Sequence, residues 1–99
     1  MFEITFSDGV AEDLAQLPAY QRSRILDRIE VQLSQKPNQQ TRNRKPLLGL
    51  VPPGQHVPPV WELRIDEYRV FYDVHEATAS VIVRAIRHKS AHRTTGEIL

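Results

Sequence analysis

Residues 61–74 read WELRIDEYRVFYDV, and this stretch decides which fold the chain can adopt. Apolar and polar side chains alternate on both sides of Asp66-Glu67, which is the pattern of a β-hairpin with one buried face. A loop of two or four residues at this turn pairs Arg64 with Arg69, whereas a three-residue loop with a bulge would break that pairing. Like charges opposite each other in a ladder are destabilising, so the two arginines require an explanation.

The alternation divides the hairpin between two faces. One face is almost wholly apolar and should lie under helices; it carries Trp61, Leu63, Ile65, Tyr68, Val70, Tyr72 and Val74. The other face is polar and should lie open; it carries Glu62, Arg64, Arg69, Phe71 and Asp73. Two arginines on an open face suit a phosphate-rich ligand, because guanidinium groups bind phosphate oxygens bidentately. The alternative is that Glu62 and Asp73 neutralise the arginines in a cross-strand charge ladder.

The N-terminal third predicts a strand followed by two helices. FEITF at residues 2–6 alternates like a strand, and Ser7 is suited to cap a short helix that ends at Pro18. A second amphipathic helix is expected from about Ala19 to Gln35. Because only a proline-marked turn separates the two helices, they should form an antiparallel αα-hairpin.

The remaining segments are a long connection, a strand and a basic tail. Residues 36–60 are rich in proline and predict an irregular excursion with an exposed basic group, namely Arg42, Arg44 and Lys45. Residues 79–86, ASVIVRAI, predict the third strand of a meander, apolar enough to be central. The tail then gathers basic or potentially basic side chains, which are Arg87, His88, Lys89, His92 and Arg93.

Composition is typical of one soluble domain. The 99 residues are 40% hydrophobic and 25% charged, with no apolar run long enough to span a membrane and no basic N-terminal region of a signal peptide. The absence of cysteine excludes disulfides, thiol catalysis and zinc–thiolate sites. Residues 1–35 carry a net charge of −3 and residues 36–99 a net charge of +4, so attraction for anions should lie in the C-terminal two-thirds. An ordinary solvated surface is the alternative.

The segments and their order resemble the RelE/ParE superfamily of toxins from bacterial type II toxin–antitoxin systems. The resemblance rests on W-x-L-R-x-x-x-Y-R-V-x-Y at residues 61–72, RNRKPLLGL at residues 42–50 and AIRHK at residues 85–89. It implies an α+β fold over residues 1–99 as a single domain, with the αα-hairpin on one face of an antiparallel sheet. Composition predicts a cytoplasmic protein without a membrane partner, and the resemblance implies that it forms a hetero-oligomer with a small, partly disordered antitoxin.

The resemblance implies growth inhibition by one of two activities. Members similar to RelE cut messenger RNA in the ribosomal A site, in contact with ribosomal RNA, and members similar to ParE inhibit DNA gyrase. The expected activity is a ribosome-dependent, metal-independent endoribonuclease without a cofactor. The alternatives are a gyrase inhibitor and a non-catalytic module that only binds its antitoxin.

Site residues follow from matching this chain to the motif position by position. Arg64, Arg69 and Lys89 match basic positions of the nucleases and are expected to stabilise the charged phosphorane. His92 stands where many such nucleases have a C-terminal tyrosine, and histidine is suited to proton transfer near neutral pH. The expected RNA-binding residues are Arg42, Arg44, Lys45, Phe71, Arg87, His88 and Arg93. A solvated loop is the alternative for the basic group, and a packing role is the alternative for Phe71.

Overall fold

In the computed structural model, the described residues are 1–48 and 59–89. They form two helices and five strands, in the order β1 (Glu3–Phe6), α1 (Val10–Ala15), α2 (Ala19–Leu33), β2 (Arg44–Pro46), β3 (Trp61–Ile65), β4 (Tyr68–His75) and β5 (Ser80–His88). A short 3₁₀ turn, Glu76–Thr78, joins β4 to β5. Within the described ranges, no helix is long and apolar enough to cross a membrane.

The strands form one mixed sheet in the order β1-β5-β4-β3-β2. Three neighbouring pairs are antiparallel, whereas β1 pairs with β5 in parallel. The parallel pair arises because the chain leaves β1 through the two helices and returns to the far side of the sheet, a crossover that parallel neighbours require. The predicted α+β class is confirmed, and β5 lies in the interior of the sheet, between β1 and β4, as expected. The sheet is not antiparallel throughout.

The β3–β4 hairpin has the predicted two-residue turn. Ile65 pairs with Tyr68, and Arg64 pairs with Arg69, so both arginines lie on the same face of the sheet. Asp66 adopts the left-handed backbone conformation with φ 53°, which a short polar side chain tolerates better than most. The turn thus fixes the register without the glycine that such loops usually favour.

The apolar face of the hairpin lies under the helices, as predicted. Four helix residues fill this core, which are Val10, Ile25, Ile29 and Leu33. They pack on the apolar residues of the sheet, including Trp61, Leu63, Val70, Tyr72, Val81 and Val83. The rings of Trp61 and Tyr72 stack with centroids 6.3 Å apart. Burial of this continuous surface is the main source of stability of the fold.

The prediction that the opposite face lies open was wrong for four of its five residues, because the Arg69 side chain is only 11% exposed and three others are buried. Glu62, Phe71 and Asp73 are all buried. Phe71 belongs to a second apolar cluster with Val60 and Ala85, against which Leu47 packs. This cluster forms because Val60, just before β3, and Leu47, just after β2, pack over that face.

The proline-rich excursion also contains a strand that the sequence pattern did not predict. In β2, Arg44 pairs with Leu63 and Pro46 pairs with Trp61. The Leu47 N–H then donates to the Val60 carbonyl at 2.8 Å and extends the pairing past the strand. A three-residue strand ending at proline has too short an alternation to be recognised from sequence.

The N-terminal cap differs from the expectation. Helix α1 begins at Val10 after Gly9, without a side-chain cap, so Ser7 is not its N-cap. The Ser7 hydroxyl instead donates to the Arg84 carbonyl at 3.1 Å, beyond the point where β1 stops pairing with β5. The Ser7 side chain therefore provides a hydrogen bond to a backbone carbonyl of β5 rather than to the start of α1.

Candidate phosphate-binding site

Cationic side chains surround a depression of about 290 Å³ where β2, β3 and β4 lie side by side. We name it the Arg64 groove; the residues that matter for its chemistry are Arg42, Lys45, Glu62, Arg64, Arg69 and Lys89. Five of these six side chains are basic. The predicted catalytic residues Arg64, Arg69 and Lys89 therefore line one site.

Strand pairing explains how the groove is assembled. The β3–β4 register sets Arg64 beside Arg69, and the β2–β3 register sets Lys45 opposite Glu62. Lys89 follows β5, and its backbone N–H donates to the Glu67 carbonyl at 2.7 Å, which ties the end of β5 to the hairpin turn. Three separate segments of the chain thus supply cations to one place.

Glu62 is the counter-charge of the groove. Its side chain is 4% exposed, with one carboxylate oxygen 3.5 Å from Arg69 Nε and the other 3.5 Å from Lys45 Nζ. The carboxylate therefore offsets the repulsion between the paired arginines, as the charge-ladder alternative supposed. Asp73 does not share this role, because its carboxylate is 2.8 Å from Arg84 Nε instead.

Arg69 is held in place on several sides. Its side chain is only 11% exposed, so the prediction that it lies on an open surface was wrong. Its guanidinium donates to the carbonyls of Asp66 at 3.0 Å and Tyr68 at 2.9 Å. Burial lowers the pKa of Arg69, Glu62 raises it and Arg64 lowers it further. The group nevertheless stays protonated at neutral pH, because an arginine starts from a very high pKa.

Arg64 and Lys89 are the available cations of the groove. Arg64 is exposed, and no carboxylate of the described residues forms an ion pair with Arg64 or Lys89. Arg42 and Lys45 are exposed as predicted. An incoming phosphate would therefore meet exposed cations at the rim and an anchored guanidinium deeper in the groove.

Two residues predicted to bind RNA are parts of the structural framework. Arg44 is buried, and its guanidinium donates to the carbonyls of Gln32 and Gln35, so its expected exposure was wrong. A cation suits this position because carbonyl groups at a helix C-terminus carry partial negative charge. Phe71 has no exposed surface, so it cannot stack on a base in this conformation.

Arg87 and His88 lie at a different depression, beside α1. Arg87 is 2.6 Å from an Asp13 carboxylate oxygen, and His88 is 3.0 Å from a Glu67 carboxylate oxygen. Asp13 also accepts a hydrogen bond from the Ile86 N–H at 3.0 Å. The structure therefore does not bring Arg87 and His88 into the Arg64 groove. His92 and Arg93 lie outside the described residues.

Sequence reasoning assigned no role to Arg24 and Arg28 of α2. The two residues are spaced i, i+4, which places them on one side of the helix, and that side faces Arg42 and Arg64 across a second depression. Their spacing was the available signal.

Comparisons with known proteins agree with this architecture. The family model of the ParE toxin of type II toxin-antitoxin system, parDE, matches residues 4–92. The fold is similar to the toxin–antitoxin complex RelBE2 of Mycobacterium tuberculosis, with TM-score 0.69 and 20% identity over 89% of this chain and 98% of that chain. It is also similar to the archaeal RelE–RelB complex of Pyrococcus horikoshii, with TM-score 0.69 and 18% identity over 91% of this chain and 97% of that chain.

The isolated RelE toxin of E. coli is similar as well, with TM-score 0.68 and 15% identity over 96% of this chain and 89% of that chain. No curated protein gave a significant match. The similarity to these structures shows the fold, and the family model covers most of the chain. This chain therefore belongs to the RelE/ParE superfamily and is a toxin of a type II toxin–antitoxin system.

Proposed function

We propose that this toxin is a metal-independent endoribonuclease that cuts messenger RNA on the ribosome in the cytoplasm. The observation that carries the proposal is that Arg64, Arg69 and Lys89 line one groove, although they come from two strands and the segment after a third. Clustered cations repel one another unless an anion joins them. Among the described residues that line the groove, one buried carboxylate stands with six basic residues, of which only Arg44 is part of the structural framework. Such a site favours a phosphate diester.

The chemistry requires charge neutralisation and two proton transfers. The 2′-oxygen attacks phosphorus, the bond to the 5′-oxygen breaks, and the products are a 2′,3′-cyclic phosphate and a 5′-hydroxyl. Arg64 and Lys89 would bind the non-bridging oxygens as negative charge develops, while Arg69 is held ready by Glu62. Arginine stays protonated, so the proton that leaves the 2′-hydroxyl needs another acceptor.

His92 is the proposed proton-transfer residue. It lies outside the described residues, so its assignment rests on its place in the sequence, where related nucleases carry tyrosine. A histidine in this role gives a cleavage rate that changes with pH near neutrality. His92→Ala should remove that dependence and slow cleavage, whereas unchanged cleavage would exclude His92.

We further propose that an antitoxin is the regulatory partner. Several of the similar structures are toxin–antitoxin complexes, among them the archaeal RelE–RelB complex of Pyrococcus horikoshii. A disordered segment that folds on the toxin can cover a large surface. Expression of this chain without its antitoxin should therefore stop growth, and normal growth during ready overproduction would argue against a potent toxin.

Inhibition of DNA gyrase is the second candidate. The observation that favours it is the match to the ParE family model. Engagement of Arg69 by Glu62 is also compatible with a structural role for that arginine. A gyrase inhibitor would not need Arg64 or Lys89 to stabilise a phosphorane.

Two parallel assays, one on induced cells and one with purified gyrase, separate the two activities. Primer extension on translated messages should reveal new 5′ ends within the first minutes after induction, and gyrase supercoiling by purified enzyme should proceed normally with toxin added. Arg64→Ala should abolish the new ends, whereas Lys36→Gln, a one-charge change at an exposed residue outside the groove, should not. Blocked supercoiling with intact messages would overturn the nuclease proposal in favour of gyrase inhibition.

A further inference from the structure

A second basic depression lies between α2 and β3. We name it the Arg24 cleft; it has a volume of about 390 Å³ and is lined by Arg24, Arg28, Arg42, Asn43, Arg64 and Asp66, with Ile65 at its base. Within the part of the chain that the structure describes, four arginines face one carboxylate here. No role in the proposed cleavage chemistry has been given to Arg24 or Arg28, so their presence needs a separate explanation.

The one carboxylate of the cleft is engaged by Arg24. Arg24 donates to both oxygens of Asp66, at 2.8 Å and 3.3 Å. Hydrogen bonding from Arg24 lowers the pKa of Asp66, and the charge of Arg28 lowers it further. Both side chains of the Arg24–Asp66 pair are 55% exposed. A pair this exposed is worth little, so Arg24 can exchange the carboxylate for a phosphate at small cost.

The cleft is continuous with the Arg64 groove. Arg42, Asn43 and Arg64 line both depressions, so a ligand can pass from one to the other without leaving basic surface. Asn43 is fixed at this junction, because its carbonyl accepts a hydrogen bond of 2.8 Å from the Arg64 N–H. The junction is therefore part of the sheet rather than a free loop.

We propose that the Arg24 cleft binds the phosphate backbone of the RNA strand whose cleavage site occupies the Arg64 groove. The inference rests on the proposed nuclease function, and it names where the substrate strand continues. Arg24, Arg28 and Arg42 bind successive phosphates, and guanidinium groups favour phosphate because their planar donors match its oxygens in pairs.

The lining of the cleft favours RNA over an acidic protein segment. A peptide that folds on binding gains most of its affinity by burying apolar side chains in matching pockets. Among the described residues that line the cleft, the only apolar one is Ile65, and it is 4% exposed. Phosphate contacts need no apolar anchor, because the release of counterions supplies the affinity.

Substitution of Asp66 tests whether Arg24 is available to bind phosphate. Asp66→Asn removes the charge that competes for Arg24, and asparagine suits the left-handed backbone conformation at this turn. RNA binding should therefore become tighter, while the hairpin keeps its turn. Weaker binding by Asp66→Asn would contradict the role given to Arg24.

The decisive experiment measures the salt dependence of RNA binding. The probe is a short single-stranded RNA with 2′-O-methyl groups, which cannot be cleaved, so binding is measured independently of catalysis. Affinities over a series of KCl concentrations are compared for wild type, Arg28→Gln, Arg24→Gln with Arg28→Gln, Arg64→Gln and the matched control Lys36→Gln. Thermal melting confirms that each variant is folded.

Each phosphate contact to a single strand contributes about 0.7 to the slope of log affinity against log salt. Arg28→Gln should lower the slope by about 0.7 and the double variant by about 1.4, with no change for Lys36→Gln. Equal effects of Arg28→Gln and Lys36→Gln would mean that net charge alone matters, and would overturn the inference.

The remaining outcomes separate the cleft from the nuclease proposal. A lower slope for Arg64→Gln alone would leave the nuclease proposal standing and exclude the Arg24 cleft. If Arg28→Gln weakens binding of a poly-glutamate peptide but not of RNA, the cleft is a protein site and the inference fails. If the slopes change as expected while wild type leaves translated messages intact, the cleft binds RNA and the nuclease proposal fails.

Discussion

Glu62 is the residue that allows two arginines to oppose each other in the β3–β4 ladder. Its buried carboxylate lies between Arg69 and Lys45 and compensates charges that would otherwise repel Arg64. The two arginines of the pair consequently differ. Arg69 is mostly buried and bound to two backbone carbonyls, whereas Arg64 is exposed.

This difference predicts opposite consequences for the two alanine variants. Arg69→Ala removes a charge partner of buried Glu62 and should lower the free energy of unfolding by about 1–3 kcal/mol. Arg64→Ala removes an exposed cation and should change it by less than about 0.5 kcal/mol. Urea unfolding at neutral pH measures both. Equal losses of stability would show that Arg64 is as much a structural residue as Arg69.

Ala79 provides a second test at the scale of one residue. It has φ 49°, a left-handed conformation that is unfavourable for a residue with a Cβ, and it directly precedes β5. Ala79→Gly should raise the free energy of unfolding by about 0.5–1 kcal/mol, because glycine adopts this conformation without strain. Ala77→Gly, in the neighbouring 3₁₀ turn and without a left-handed φ, is the matched control and should be neutral or destabilising. A loss of stability in Ala79→Gly would contradict this explanation.

Among the elements, the β3–β4 hairpin was the most predictable from sequence. Alternation on both sides of Asp66-Glu67 predicted the buried face, and a two-residue turn predicted the register that the structure has. The second apolar cluster was not predictable, because the residues next to Phe71 on the same face of its strand, Arg69 and Asp73, are polar. Its partners Val60 and Leu47 belong to the proline-rich connection, and only the tertiary fold brings them to that face.

The parallel edge and the buried Arg44 were equally hidden from sequence. Alternation in residues 2–6 predicts a strand but says nothing of its partner or direction. Arg44 stands within a basic group that looks uniformly exposed, yet pairing of β2 with β3 turns its side chain toward one carbonyl near the end of α2 and one just beyond it. Pairing partners, rather than local patterns, decide such positions.

Tyr72 connects β4 to the segment that follows α2. Its burial predicts how the stability of the protein changes at alkaline pH. Its hydroxyl donates to the Pro37 carbonyl at 2.7 Å, and burial raises the pKa of Tyr72 well above its ordinary value. The unfolded chain therefore loses this proton near pH 10 while the folded chain keeps it, so stability falls as pH rises above about 10.

Tyr72→Phe removes both the hydrogen bond and this ionisation. At pH 8 the variant should be about 1–3 kcal/mol less stable than wild type, because the Pro37 carbonyl loses a buried donor. Above pH 10 the difference should narrow by up to about 1.4 kcal/mol per pH unit. Urea unfolding at pH 8 and pH 11 tests this, and a difference that stays constant would show that Tyr72 is not protected from ionisation.

For the whole molecule, charge must be considered on the surface rather than along the sequence. Net charge by segment assigned the attraction for anions to residues 36–99. The folded chain instead joins Arg24 and Arg28, from the acidic N-terminal part, with Arg42 and Arg64 in one cleft. Sequence and resemblance identified the cations of the Arg64 groove, but the continuity of the two depressions required the packing of α2 beside β3.

The central claim is that the Arg64 groove cuts messenger RNA, and cleavage on purified translating ribosomes tests it most directly. Wild type, Arg64→Ala and the control Lys36→Gln are added to ribosomes stalled on one defined message, and new 5′ ends are mapped and timed. Loss of one cation that stabilises the transition state typically costs on the order of 10²-fold in rate. Wild type and Lys36→Gln should therefore cut at equal rates, with Arg64→Ala slower by about that factor. Cleavage by Arg64→Ala at the wild-type rate, or no cleavage by wild type at all, would contradict the claim.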